Sequence, residues 1–133
     1  MVRMRFIPMR SISTESAPSA IGPYSQAVEC NGMVFVSGQL PVDPVTGTMP
    51  NTPAEQARRA LENVKTIAES SGCTMADCVK VTVYLSDLSS FAQVNDVYKE
   101  FFAEPYPARS CIEVSAIPKG AMLEIDAILI RSS

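Results

Sequence analysis

Two charged side chains near the end of the chain have the residue types expected of a small binding or catalytic site. Arg109 follows two prolines in the segment PYPARSC, so it sits on a stiffened approach to a strand. A planar guanidinium at a rigid position is suited to binding a carboxylate through two parallel hydrogen bonds. Glu124 lies in the segment MLEIDA of the last strand, where alternation places its side chain on the face opposite to that of Leu123 and Ile125. The two residues predict recognition of an acidic small molecule, with proton transfer nearby.

The environment of Glu124 favours proton transfer. Ile128 and Ile130 follow it on the same strand face, and partial burial raises the pKa of a carboxyl toward the range useful for acid–base chemistry. The ordinary alternatives stay open: Arg109 as a surface residue or an internal ion pair, and Glu124 on a solvated face. Because a tight turn joins their strands, we expect the two side chains either to converge on one site or to pair with each other.

Four further residues are candidates for contact with a ligand. Cys111 lies two residues after Arg109 on the same strand face, although a passive wall position is more typical of such a cysteine. Tyr24 follows Gly22-Pro23 in a rigid loop. Ser37 and Gly38 end a strand, where glycine permits close backbone approach to a ligand. The alternatives are that Tyr24 packs in the core and that the glycines and Ser37 serve only to form turns.

The composition excludes several chemistries. The 133 residues include no histidine, which removes histidine-dependent nucleophile pairs, histidine metal sites and histidine-dependent nucleases. Beyond the three arginines that precede Glu15, eight basic residues face fourteen acidic ones, so no nucleic-acid partner is expected. The four cysteines form no C-x-x-C pair, which favours a reducing, cytoplasmic compartment. No phosphate-binding glycine loop, metal cluster or membrane span is present, so neither a cofactor nor a membrane partner is expected.

The elements that must position these residues follow the order β-β-β-α-β-α-β-β. Thr52-Pro53-Ala54-Glu55 predicts a helix start with a capping box, and Gly72 ends that helix. Ser90 with Gln93 opens a second helix. The predicted strands cover residues 9–13, 26–30, 33–37, 79–86, 110–115 and 122–131. This pattern predicts a single α+β domain with a six-stranded mixed sheet and both helices on one face, leaving a partly apolar face that invites oligomerisation.

Five segments carry a family resemblance: AIGPYSQAV, FVSGQLP, EQARRALENVK, VYLSDLSSFAQVNDVY and above all PARSCIEVSAIPKGAMLEI. Over residues 9–131 the chain resembles the RidA/YjgF family, also labelled endoribonuclease L-PSP, which implies a RidA-like domain over residues 9–133. The resemblance implies a fold similar to small chorismate mutases and a homotrimeric barrel with ligand clefts between subunits. Residues 1–8 would be an N-terminal extension, and their basic character leaves organellar targeting open.

The resemblance also implies an activity and a set of roles. Family members of this branch hydrolyse the enamines and imines released by pyridoxal-phosphate enzymes, such as 2-aminoacrylate, to 2-oxo acids and ammonia. Arg109 would bind the substrate carboxylate, and Glu124 would hold and activate the attacking water. The remaining positions would contact the substrate or line the cleft: Tyr24, Ser37, Gly38, Asn95 and the backbone at Cys111. A non-catalytic small-carboxylate sensor, a chaperone-like protein and an endoribonuclease are the alternative functions.

Overall fold

The computed structural model describes residues 8–132. The expected extension over residues 1–8, with any targeting role, lies almost wholly outside the described residues. One sheet contains the six strands β1 (Arg10–Ile12), β2 (Ala27–Cys30), β3 (Met33–Gln39), β4 (Cys78–Leu85), β5 (Ala108–Glu113) and β6 (Leu123–Ile130). The two helices are α1 (Pro53–Ser70) and α2 (Phe91–Phe101). The predicted element types are all confirmed, and β5 begins two residues earlier than its predicted start at residue 110.

The strand order in the sheet is β1-β2-β3-β6-β4-β5. Every neighbouring pair is antiparallel except β4 and β5, which run parallel and are connected through α2. The sheet is therefore mixed, as predicted. A turn joins β5 to β6, but the two strands are not neighbours in the sheet, because β4 lies between them.

Helix α1 begins where the sequence predicts. The Thr52 hydroxyl accepts a hydrogen bond from the Glu55 amide at 3.2 Å, and Pro53 occupies the first turn. Within residues 8–132 the reciprocal bond, which the Thr52 amide would donate to the Glu55 carboxylate, does not form, so only half of the predicted capping box is present. Ala57, Ala60 and Ala68 are buried against the sheet, and their small side chains let the helix approach it closely.

The two faces of the sheet differ sharply. Alternate residues of β4 and β6, such as Val81 and Leu129, are fully buried under the helices in the hydrophobic core. The opposite face has no helix over it among the described residues, and it presents large apolar side chains to solvent. They are Met33, Phe35, Ile112 and Ile130. An exposed apolar face of this kind is typical of a surface that another protein chain covers.

Candidate active site

Arg109 is held by helix α2. Its Nη1 donates a 2.8 Å hydrogen bond to the Asn95 side-chain oxygen. The guanidinium carbon lies 4.6 Å from the centre of the Tyr98 ring and 5.4 Å from that of Phe91. These contacts fix the orientation of the cation through ring electrostatics, while most of its donors stay available for a carboxylate. Within residues 8–132 Arg109 makes no ion pair.

A small cavity of about 380 Å³ opens beside this arginine. Tyr98 forms part of its wall, and its buried hydroxyl has no hydrogen-bond partner among the described residues. Burial raises the pKa of Tyr98 to about 12, although the positive charge of Arg109 acts in the opposite direction. Tyr98 is therefore neutral and contributes its ring face to the arginine rather than an acid–base group.

Cys111 shares the helix-covered face with Arg109, as predicted. It pairs with Val83 of β4 and packs against the hydrophobic core. Burial raises the pKa of the Cys111 thiol, and the nearby Arg109 charge offsets only part of that effect. A protonated thiol is a poor nucleophile, so the position has the character of a wall.

Glu124 lies in a second, larger cavity of about 810 Å³ on the other side of the sheet. Its local geometry comes from an irregularity in β3. Val36 pairs with Ala127 and Gln39 pairs with Ile125, so Ser37 and Gly38 form a bulge with one residue in excess. The bulge brings the backbone at Gly38 directly against the Glu124 side chain.

Glycine is required at position 38 by Glu124 itself. A Cβ added at Gly38 would lie 2.7 Å from Oε2 and 2.8 Å from Cδ of Glu124. The sequence predicted a close backbone approach at this glycine but assigned it to a ligand. In the isolated chain the group that lies against Gly38 is the Glu124 carboxylate. The position of this carboxylate therefore depends on residue 38 having no side chain.

The electrostatics of Glu124 suit proton transfer. Burial raises the pKa of this carboxyl, and the negative charge of Asp126 raises it further. Asp126 accepts a 2.9 Å hydrogen bond from the Tyr84 hydroxyl. Glu124 itself makes no ion pair within residues 8–132, so its oxygens are available to a water molecule or a substrate.

Ser37 holds the loop that carries Tyr24. The Ser37 hydroxyl donates a 2.6 Å hydrogen bond to the Ser25 carbonyl, and its amide donates to the Gln26 carbonyl at 2.9 Å. Tyr24 is 53% exposed and lines the same cavity as Glu124. The structure thus brings Tyr24, Ser37, Gly38 and Glu124 to one cavity, without Arg109, Asn95 and Cys111, which the resemblance implies lie in the same cleft.

Gln26 is a supporting residue that sequence reasoning missed. It is only 4% exposed, and its side-chain nitrogen donates to the carbonyls of Thr14, Ala17 and Pro18. Its side-chain oxygen accepts from the Thr14 amide at 2.7 Å. One buried amide therefore holds the loop over residues 14–18, which forms part of the cavity wall. The signal was a glutamine at the start of a buried strand.

Two buried amides of α1 also hold loops: Asn63 binds the segment at Leu40 and Val42, which lines the cavity, and Gln56 binds Pro50 and Met122, which lie outside its lining. The Asn63 side chain donates to the carbonyls of Leu40 and Val42, each at 3.0 Å. Gln56 donates to the Pro50 carbonyl at 2.9 Å and accepts from the Met122 amide at 2.8 Å. Both polar residues lie on the otherwise apolar face of the helix, which is a pattern that could have identified them.

Arg109 and Glu124 do not meet within one chain. Arg109 is level with Val81 and points toward the helices, whereas Glu124 is level with Tyr84 and points to the open face. One strand and three residues separate their backbones, a distance of about 14 Å from strand geometry. The expectation that the two side chains converge or pair is wrong for the isolated chain, and Asn95 accompanies Arg109 only.

The structure is a small α+β domain with two cavities on opposite faces of its sheet, one beside Arg109 and one beside Glu124. The chain belongs to the RidA/YjgF family, because the model of the family described as endoribonuclease L-PSP matches residues 14–130. The 2-iminobutanoate/2-iminopropanoate deaminase of Escherichia coli K12 is 50% identical over 125 residues, covering 92% of this chain and 98% of that protein.

Solved structures agree with this assignment. The crystal structure of E. coli TdcF with bound serine has a TM-score of 0.88 and 50% identity, covering 92% of this chain and 99% of that one. RidA from an Antarctic Psychrobacter species has a TM-score of 0.88 and 45% identity, covering 91% of this chain and 98% of that one. Among residues 8–132 no helix combines the length and apolar character needed to cross a membrane.

Proposed function

We propose that this protein is an enamine/imine deaminase that hydrolyses 2-imino acids, such as 2-iminopropanoate formed from 2-aminoacrylate, to 2-oxo acids and ammonia. One observation carries the proposal: within residues 8–132, Arg109 is oriented by Asn95 and makes no ion pair, and the partly buried Glu124 makes none either. A relative 50% identical over nearly the whole chain bears the name of that deaminase, which supports the same reading.

The reaction needs one fixed anion and one proton carrier. The enamine first tautomerises to the 2-imino acid, and Arg109 binds the carboxylate, which places the C=N carbon. Glu124, as the carboxylate, takes a proton from a water molecule while the water oxygen attacks that carbon, giving a carbinolamine. The protonated Glu124 gives that proton to the nitrogen, so the carbinolamine is neutral. The hydroxyl proton of the carbinolamine then passes through Glu124 to the nitrogen as the C–N bond breaks and the C=O bond forms. Ammonia and the 2-oxo acid leave, and Glu124 is again a carboxylate.

We infer that the working site forms between copies of the chain. Because Arg109 and Glu124 lie on opposite faces of the sheet, Arg109 of one copy must meet Glu124 of a neighbouring copy. The apolar open face supports association, and a closed homotrimer with a cleft at each interface satisfies the geometry for every copy. The four unpaired cysteines support a reducing, cytoplasmic location for this assembly.

A coupled assay tests the proposed activity. A pyridoxal-phosphate dehydratase acting on serine or threonine generates the imine, and release of the 2-oxo acid is timed with and without the protein. We expect the protein to accelerate release, and the Arg109→Ala variant to give only the spontaneous rate. Binding of the imine or of a small carboxylate without acceleration would favour the sensor alternative, and cleavage of added RNA would favour the ribonuclease alternative.

A further inference from the structure

Lys119 is the feature near the Glu124 cavity that the proposed mechanism does not use. It lies in the short turn Pro118–Gly120 that precedes β6, and it is the only lysine or arginine that lines the Glu124 cavity among residues 8–132. The other charged residues of the lining are Asp43 and Glu124, both acidic. Without Lys119 this cavity would carry negative charge alone.

The backbone at Lys119 is unusual for a residue with a side chain. Its φ is 61° and its ψ is 18°, in the left-handed region where glycine or asparagine would be less strained. A non-glycine residue in that region is a reason to look for a role of its side chain. The turn carries a lysine where the backbone alone favours glycine, which points to a use for the ammonium group.

The charge of Lys119 is not neutralised by an acidic side chain among residues 8–132. Across the part of the chain that the structure describes, the ammonium group takes part in no ion pair. A free cation therefore faces a cavity whose proposed substrate is an anion.

We propose that Lys119 is a positioning residue that draws the carboxylate of the substrate into the Glu124 cavity before Arg109 of the neighbouring copy binds it. The inference rests on the proposed deaminase function and concerns its substrate class, which is small monocarboxylate anions. A chain with a formal net charge of −3 repels such anions at long range. A local cation raises their concentration at the site and speeds their capture.

The test compares three substitutions at this position in the coupled assay. Lys119→Asn removes the charge and suits the left-handed backbone, Lys119→Arg keeps the charge, and Lys119→Glu reverses it. We expect kcat/KM at low salt to fall about threefold for the asparagine variant and about tenfold for the glutamate variant, chiefly through KM. The arginine variant keeps the wild-type value, and the differences shrink as salt is added.

Lys65→Glu on the exposed side of α1 is the matched control, since it changes the net charge equally but lies outside the Glu124 cavity. An equal loss in both glutamate variants, an unchanged kcat/KM in Lys119→Glu, or a fall in kcat with KM unchanged would each overturn the inference. Those results leave the deaminase function standing if the wild type is active. A wild type without activity removes the proposed function, and the role of Lys119 falls with it.

Discussion

The two halves of the site are built by different means. The Arg109 half is made by side chains of α2. Asn95 accepts a hydrogen bond from the guanidinium, and the rings of Tyr98 and Phe91 lie against it. The Glu124 half is made by backbone, since a bulge at Ser37 and Gly38 creates the space for the carboxylate. Buried amides then hold the loops around it.

This difference follows from what each charge must do. A guanidinium stays charged in any surroundings, so it needs only orientation and free donors. A carboxylate that exchanges protons needs a raised pKa, which requires partial removal from water. The two requirements are met on opposite faces of one sheet, so a single chain carries both halves of the proposed site without joining them. Activity is therefore expected to belong to the assembly.

The largest effect is expected from breaking the Arg109 half. Arg109→Ala should lower kcat/KM by about 10³-fold, because the substrate carboxylate loses its charge-assisted hydrogen bonds. Arg109→Lys should recover only part of this loss, since a lysine lacks the planar fork. Steady-state kinetics measure both variants, and size-exclusion chromatography confirms that each still assembles. Near wild-type kinetics in Arg109→Ala would remove the role assigned to this half.

Breaking the Glu124 half through its backbone should have the next largest effect. In Gly38→Ala the new methyl group occupies the space of the Glu124 carboxylate, so kcat should fall about 100-fold, as expected for a misplaced catalytic group. The atoms displaced belong to the end of a flexible side chain, so thermal unfolding should shift little. In a Glu124→Gln background the same substitution should cost nothing further, and an additional loss there would contradict the explanation.

The loop supports of the Glu124 half predict a smaller change. Gln26→Leu leaves the Thr14 amide and the carbonyls of Thr14, Ala17 and Pro18 without their partner. We expect a loss of about 2 kcal/mol in the free energy of unfolding, measured by urea denaturation. Hydrogen exchange of the loop over residues 14–18 should accelerate selectively. Uniform acceleration across the chain would mean that Gln26 does not act on this loop.

The smallest effect concerns pH. Glu124 must be a carboxylate to accept a proton from water, so kcat/KM should rise as pH increases through its raised pKa. Asp126→Asn removes a negative charge that raises this pKa, so the acidic limb of the profile should move to lower pH. The plateau should change little. A limb that stays in place or moves to higher pH would show that another group controls it.

The same shift has a consequence for stability. Because the pKa of Glu124 is higher in the folded chain than in the unfolded one, the protonated form favours folding. The stabilising contribution is present at acidic pH and is lost as pH rises through the folded-state pKa.

The sequence predicts every strand and helix because each has a clear hydrophobic periodicity and is bounded by capping or turn residues. The spacing of residues does not place Tyr24, Ser37 and Gly38 beside Glu124. The resemblance to the family implies that they share a cleft, and in the structure they line one cavity with it. The order of strands in the sheet is harder to predict. A turn connects β5 to β6, but α2 places β5 parallel to β4 at the edge of the sheet, so β5 and β6 do not pair. The bulge and the buried amides depend on register and tertiary contacts, which leave only a faint local pattern.

The most direct test of a site shared between copies is complementation of two inactive variants. Chains carrying Arg109→Ala and chains carrying Glu124→Gln are co-expressed with different tags, and mixed assemblies are isolated by both tags in succession. In a mixed cyclic trimer one interface joins an intact Arg109 to an intact Glu124, so about one third of the wild-type activity should return. Mixed assemblies as inactive as each parent would contradict a site built from two chains.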